Sequence, residues 1–198
     1  VIEALFKRMA IIIVFLSIIY STDNNLIIIN NILPSELSKN SIGINILSSN
    51  NKNSSTYFDY QTWITDNLLI DSYLSPSFNN SINISYGFDL GYCSIVKNKY
   101  LHSMIYTVGY HREKFSLNES RLSDFSIQSM MKINNKNWFS ISCIYLFNNK
   151  GNSKENNFFA FNYMRLFKDN FIINSGIQLH NDDNESLINY YVGLNYSL

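Results

Sequence analysis

Between Ser81 and Ser94 the chain reads SINISYGFDLGYCS, in which Ile82, Ile84, Tyr86, Phe88, Leu90 and Tyr92 alternate with Asn83, Ser85, Gly87, Asp89, Gly91 and Cys93. A period of two over such a length fits an extended strand with one apolar and one polar face, and it does not fit an amphipathic helix. The pattern recurs. In YLHSMIYTVGYH, Met104, Tyr106, Val108 and Tyr110 oppose Ser103, Ile105, Thr107, Gly109 and His111, which makes a hairpin with the preceding segment. Phe125, Ile127, Met131 and Ile133 form the next apolar row, answered across NNKN by Phe139, Ile141, Cys143, Tyr145 and Phe147. Phe159, Phe161 and Tyr163 follow, then Phe171, Ile173, Ile177 and Leu179, and the chain ends in YYVGLNYSL.

Upstream, TYFDYQTWITDNLLI is read as a single strand, with Phe58, Tyr60, Ile64, Leu68 and Ile70 against Asp59, Gln61, Trp63, Thr65 and Asn67. That makes eight strands from Thr56 onward. The alternation of Ile42, Ile44 and Ile46 raises ten as the alternative, with LIIINNIL recruited to keep the number even. Otherwise residues 22–55 form an N-terminal extension or plug. Short links (Val96 to Lys99, Asn134 to Asn137, Lys168 to Asn170) alternate with long polar ones (DSYLSPSFNNS, REKFSLNESRLSD, NNKGNSKENN, NDDNES). With only 2 Pro in 198 residues, little interrupts strand pairing.

The polar row decides which face is outside. A soluble calyx exposes that row to water and would fill it with Lys, Glu, Arg and Thr. Here it is Ser, Asn, Gln and Gly, including Gly87, Gly91, Gly109, Gly176 and Gly193. Small residues suit a narrow barrel interior. The expectation is an all-β fold, a closed antiparallel up-and-down barrel with its apolar row toward lipid. Only 15% of residues are charged and the formal net charge is zero, which offers no electrostatic footprint for nucleic acid.

Lys7 and Arg8 precede the apolar run AIIIVFLSIIY and the polar STDNN. A charged start, a short apolar core and small Ser21 at the exit match a secretory signal peptide over 1–21, although Ile19 suits cleavage poorly. A retained anchor and a buried strand or helix are the alternatives. The expected division is therefore a signal peptide (1–21), an extension or first hairpin (22–55) and the barrel (56–198). Cys93 and Cys143 fall on opposite faces, which forbids a bridge between them, and they show no metal-ligand spacing.

From about Thr56 to Leu198 the sequence resembles the small bacterial outer-membrane β-barrels, related in plan to the eight-stranded transmembrane domain of the outer-membrane protein A class. The alternating end looks like the terminal signal read by the outer-membrane assembly machinery, with Tyr190, Val192, Leu194, Tyr196 and Leu198 in the signal positions. The family commonly ends in Phe, and Leu198 departs from that. The resemblance implies a monomer in the Gram-negative outer membrane, partnered by lipid, the assembly machinery and periplasmic chaperones. It implies no cofactor and no enzymatic activity. The expected role is structural, adhesive or surface-interacting through external loops; a small porin, a rim-active lipid hydrolase and a secreted calyx are the alternatives.

Asp59, Asp89, Asp124 and Lys132 fall on the inward row, where buried charges need partners, so a polar network across the lumen is expected. His111, Glu113 and Ser116, with His180 elsewhere on the same side, could in principle make a rim hydrolase, but their spacing matches no catalytic motif. Arg165 sits on the apolar row near a turn and can snorkel there, unless that strand has the reverse phase. Trp63 and Trp138 are assigned to packing or an interfacial belt. Replacing Leu198 with Asp, or deleting Tyr196 to Leu198, is expected to prevent assembly; normal insertion of either variant in a membrane fractionation contradicts the terminal signal.

Overall fold

The computed structural model describes residues 32–49, 54–77, 83–96, 98, 100–115, 118–148, 156–168, 170–182 and 185–198. They form ten strands: β1 (Asn40–Ser49), β2 (Ser54–Trp63), β3 (Leu68–Ser77), β4 (Asn83–Ile95), β5 (Ser103–Phe115), β6 (Asn118–Lys132), β7 (Asn137–Asn148), β8 (Asn156–Phe167), β9 (Phe171–Asp182) and β10 (Glu185–Ser197). Each strand pairs antiparallel with the next, and β10 returns to β1 to close the barrel. At that seam Ile42 opposes Tyr196, Ile44 opposes Leu194 and Ile46 opposes Val192. All three pairs lie on the outward, apolar phase, so one phase runs unbroken around the ring.

The strand number is ten, not the favoured eight, and the tenth strand does not come from LIIINNIL. The segment read as one strand is a hairpin: β2 and β3 flank the turn Ile64–Asn67, where Thr65 Oγ1 accepts hydrogen bonds from the amides of Asn67 and Leu68. Four residues between the strands preserve even-odd parity, so Tyr60 and Leu68 both point outward and the alternation runs through the turn undisturbed. The segment DSYLSPSFNNS, read as a link, supplies most of β3. Pro76, which cannot donate to a ladder, stands one residue from the end of that strand, where little pairing is lost. Most of REKFSLNESRLSD and NDDNES is likewise strand, and only 116–117 and 183–184 separate the flanking elements.

Two other short turns use the same chemistry as Ile64–Asn67. Asn98 Oδ1 accepts from the amides of Tyr100 and Leu101, and Asn134 Oδ1 accepts from those of Lys136 and Asn137. Such side-chain acceptors satisfy turn amides that no ladder reaches.

Faces divide as the alternation requires. Ile42, Tyr60, Leu74, Phe88, Val108, Phe125, Ile141, Phe161, Ile177 and Val192, one from each strand, all point outward and are exposed. Arg165 lies outward with them, exposed, so β8 keeps the expected phase. Cys93 is buried inside and Cys143 is exposed outside, and both are free. In a Cys93→Ala, Cys143→Ala background, Ile44→Cys with Leu194→Cys is expected to cross-link in the folded protein, whereas Ile44→Cys with Phe88→Cys is not. Failure of the first pair on a non-reducing gel contradicts closure through β1 and β10.

Candidate functional site

The site is the lumen, and its short-turn end is shut by the chain itself. Ile32 and Leu33 enter the barrel and are fully buried, with Leu37 beside them. They pack into a collar of inward residues that includes Trp63, Leu69, Ile105, Met130, Trp138 and Met164. A backbone inside a barrel needs hydrogen-bond partners from the wall. Here Leu33 N–H donates to Gln61 Oε1 (2.8 Å), while Gln61 Nε2 (2.6 Å) and Trp63 Nε1 (3.1 Å) donate to Leu33 C=O. Gln128 Nε2 donates to Ile32 C=O at 3.3 Å.

A turn at Pro34 to Leu37 then leads the chain out to β1, and Glu36 pins it to the wall. The Glu36 carboxylate meets Lys132 Nζ at 2.6 Å and His102 Nε2 at 2.8 Å. The hydrogen bond from Lys132 holds the Glu36 carboxyl below its ordinary value of 4.5, partly offset by burial, with His102 adding to the lowering. Lys132 Nζ also lies 5.2 Å from the centroid of the Trp138 ring.

Higher in the lumen are two polar clusters of different quality. Asp59 accepts from Asn45 Nδ2 and from Asn195 Nδ2 (3.1 Å), and Asn174 Nδ2 bridges Asn45 Oδ1 (3.1 Å) and Asn195 Oδ1 (3.2 Å). Gly193 makes room for this amide ladder, because a Cβ there would strike Asn45 Oδ1 and Asn174 Oδ1. The carboxylate of Asp59 is thus satisfied by donors.

On the wall spanning β3 to β6, by contrast, Asp71 stands opposite Asp89, Asp89 opposite Gly109, and Gly109 opposite Asp124. Three acids therefore share one level on neighbouring strands. His111 Nε2 lies 3.2 Å from Asp124 Oδ1 and 3.7 Å from Asp89 Oδ1. Its ring stacks on Tyr73 at 5.6 Å between centroids.

The inward positions expected for Asp59, Asp89, Asp124 and Lys132 are thus occupied, but in three separate groups. Asp89 and Asp124 meet at His111, Asp59 joins the amide ladder, and Lys132 serves the rim. His111 belongs to the lumen rather than to a loop; its place on the same phase as Thr107 and Gly109 was the available signal. The side chain of Glu113 and all of Ser116 lie outside the described residues, and His180 packs on Phe158 at 4.2 Å between centroids. Trp63 and Trp138 face inward against the plug, which settles their role as packing rather than a belt. Tyr190, Val192, Leu194, Tyr196 and Leu198 lie along the outward face of β10 and its end.

No family model matches the sequence, and no curated protein matches it. Among solved structures, the chain is similar to a KdgM porin at 10% identity and a TM-score of 0.51, over 80% of this chain and 99% of that one. It is similar also to a KdgM porin in complex with disordered oligogalacturonate, at 11% identity and a TM-score of 0.51, over the same shares of each chain. The likeness extends to the fold, an up-and-down closed barrel. The ten strands depart from the eight-stranded plan of the outer-membrane protein A class.

Because the folded Glu36 carboxyl titrates below its unfolded value, its contribution to holding the plug is present above about pH 4.5 and is lost as pH falls through the lowered value. The carboxylate is partly exposed, so the contribution is of order 1 kcal/mol. The chain's 2 tryptophans, Trp63 and Trp138, both report on the plug. Their emission is expected to shift red below pH 4 as the plug loosens, and Glu36→Gln is expected to be red-shifted already at pH 7. Identical spectra for both proteins across that range contradict the clamp.

Proposed function

We propose that this chain is an integral outer-membrane β-barrel of a Gram-negative cell envelope, non-enzymatic, with its lumen closed at the short-turn end. The observation that carries the reading is the outward row. Apolar side chains are exposed on all ten strands, among them Val108 at 61% and Phe88 at 46%, while Ser, Asn, Gln and Asp side chains are buried inside. A soluble protein does not encircle itself with exposed apolar surface. In hydrocarbon, a closed barrel pairs every wall amide without exposing an edge, and the outward row becomes its solvent contact.

Plugging favours a structural or surface-interaction role over an open pore. At the end opposite the plug β5 and β6 run on past the polar lumen, with Arg112 opposite Arg121. A narrow conduit remains the second reading, supported by the likeness to porin folds. If ions pass, cations are favoured: among the described residues the mid-lumen carries Asp59, Asp71, Asp89 and Asp124 with His111 between the last two and no Lys or Arg, and Lys132 at the plugged rim is paired with Glu36. Such a lumen is unsuited to a polyanion such as the oligogalacturonate that the solved KdgM complex contains. Steady, large conductance of the native protein in single-channel recordings would favour the porin reading over the plugged one.

Lipid contact is tested by depth. Val108→Arg, mid-strand on the outward face, is expected to cost about 2–4 kcal/mol of folding stability in vesicles, and Ile133→Arg, exposed on the same outward phase at the short-turn end of β6, about 0–1 kcal/mol. Near-neutral effects at both sites in urea titrations indicate water outside the barrel and overturn the membrane reading.

A further inference from the structure

We propose that Asp89, His111 and Asp124 form a site for a single divalent transition-metal ion, Zn²⁺ being the probe of choice, inside the barrel wall of β4 to β6. One ligand atom from each residue lies within 4.8 Å of the other two, and all three residues are buried. The His111 side chain is only 1% exposed, and its Nε2, Asp89 Oδ1 and Asp124 Oδ1 meet one another at ion-pair distances without a contact of hydrogen-bond geometry to any group. Buried polar atoms normally find partners, so three such atoms facing one point, His111 Nε2, Asp89 Oδ1 and Asp124 Oδ1, call for a ligand. The same lumen shows the alternative solution at Asp59, whose oxygens accept from Asn45 and Asn195.

The space between the three ligand atoms is held open by Gly109. A Cβ at that residue would strike Asp89 Oδ1, Asp124 Oδ1 and, at 2.9 Å, His111 Nε2, so the three atoms converge on the point where a side chain is missing. Zinc bonds of about 2.0–2.2 Å at tetrahedral angles place neighbouring donors about 3.3–3.6 Å apart. The separations from His111 Nε2, 3.2 Å and 3.7 Å, straddle that range. Two carboxylates and a neutral imidazole carry two negative charges, a third acid stands opposite Asp89 at Asp71, and among the described residues no Lys or Arg reaches this level of the lumen. A divalent ion offsets that charge where water cannot. The donor set, one imidazole nitrogen with two carboxylate oxygens, suits zinc, iron or manganese better than calcium.

The test uses the full chain refolded in detergent micelles with and without Zn²⁺, followed by dialysis and metal analysis. Roughly one bound zinc per barrel and a raised unfolding temperature are expected for the native protein. Both are expected to be lost in His111→Ala and in Asp124→Asn, with folding checked by gel mobility before and after boiling. Zinc retained equally in these variants overturns the site, and so does a native protein that holds none. A measurement on the native chain alone guards against variants that fail to fold: Co²⁺ is expected to broaden the Gly109 amide resonance and to spare Gly193 on the opposite wall. Broadening of neither resonance, or of both equally, also overturns it.

Discussion

Everything in this molecule depends on the ladder between β1 and β10. A wall of strands leaves two edges with unpaired amides and carbonyls, and in hydrocarbon each unpaired group costs several kcal/mol. Nine residue pairs, from Ser41 with Ser197 to Ser49 with Asn189, remove both edges at once. Closure also fixes phase. Once Ile44 faces Leu194, every outward residue on the remaining strands follows by register, and the inward residues are committed to a common interior.

That interior must then be filled from a restricted set of side chains, and the barrel does so in three ways along its axis. At the short-turn end an apolar collar accepts Ile32 and Leu33, with the wall amides of Gln61 and Gln128 serving the intruding backbone. In mid-lumen, amides surround the Asp59 carboxylate on one wall, while acids and His111 crowd together on the other. Beyond it, Leu122, Ile144, Leu146 and Phe158 make one further apolar cluster and Leu47, Tyr57, Tyr73 and Tyr191 another. Missing side chains shape the polar middle as much as those present, since Gly109 and Gly193 are the places where polar groups from neighbouring strands meet.

The architecture was largely legible in the sequence because period two survives any amount of sequence drift that keeps one face apolar and the other polar. What escaped did so for physical reasons. The β2–β3 turn contains four residues, so Ile64, Leu68 and Ile70 continue the phase of Tyr60, and alternation alone cannot register the reversal. Asp71, Ser75 and Pro76 looked like loop chemistry because an inward row may be as polar as a loop. The plug residues Ile32 and Leu33 lie in an Ile-rich stretch where apolar character carries little information, and only the collar of inward Trp63, Ile105 and Trp138 marks their destination. Asp89, His111 and Asp124 come from three strands; no spacing along the chain brings them together, and only the pairing of Asp89 with Gly109 and of Gly109 with Asp124 does.

The central claim is a closed barrel with lipid outside. Its most direct measurement is fractionation of cells expressing the full chain, with the outer-membrane fraction run on a gel unboiled and boiled. The account predicts recovery with the outer membrane and a faster band in the unboiled sample that collapses to the unfolded position on boiling. Recovery in the soluble periplasm, with one mobility before and after heating, would contradict it.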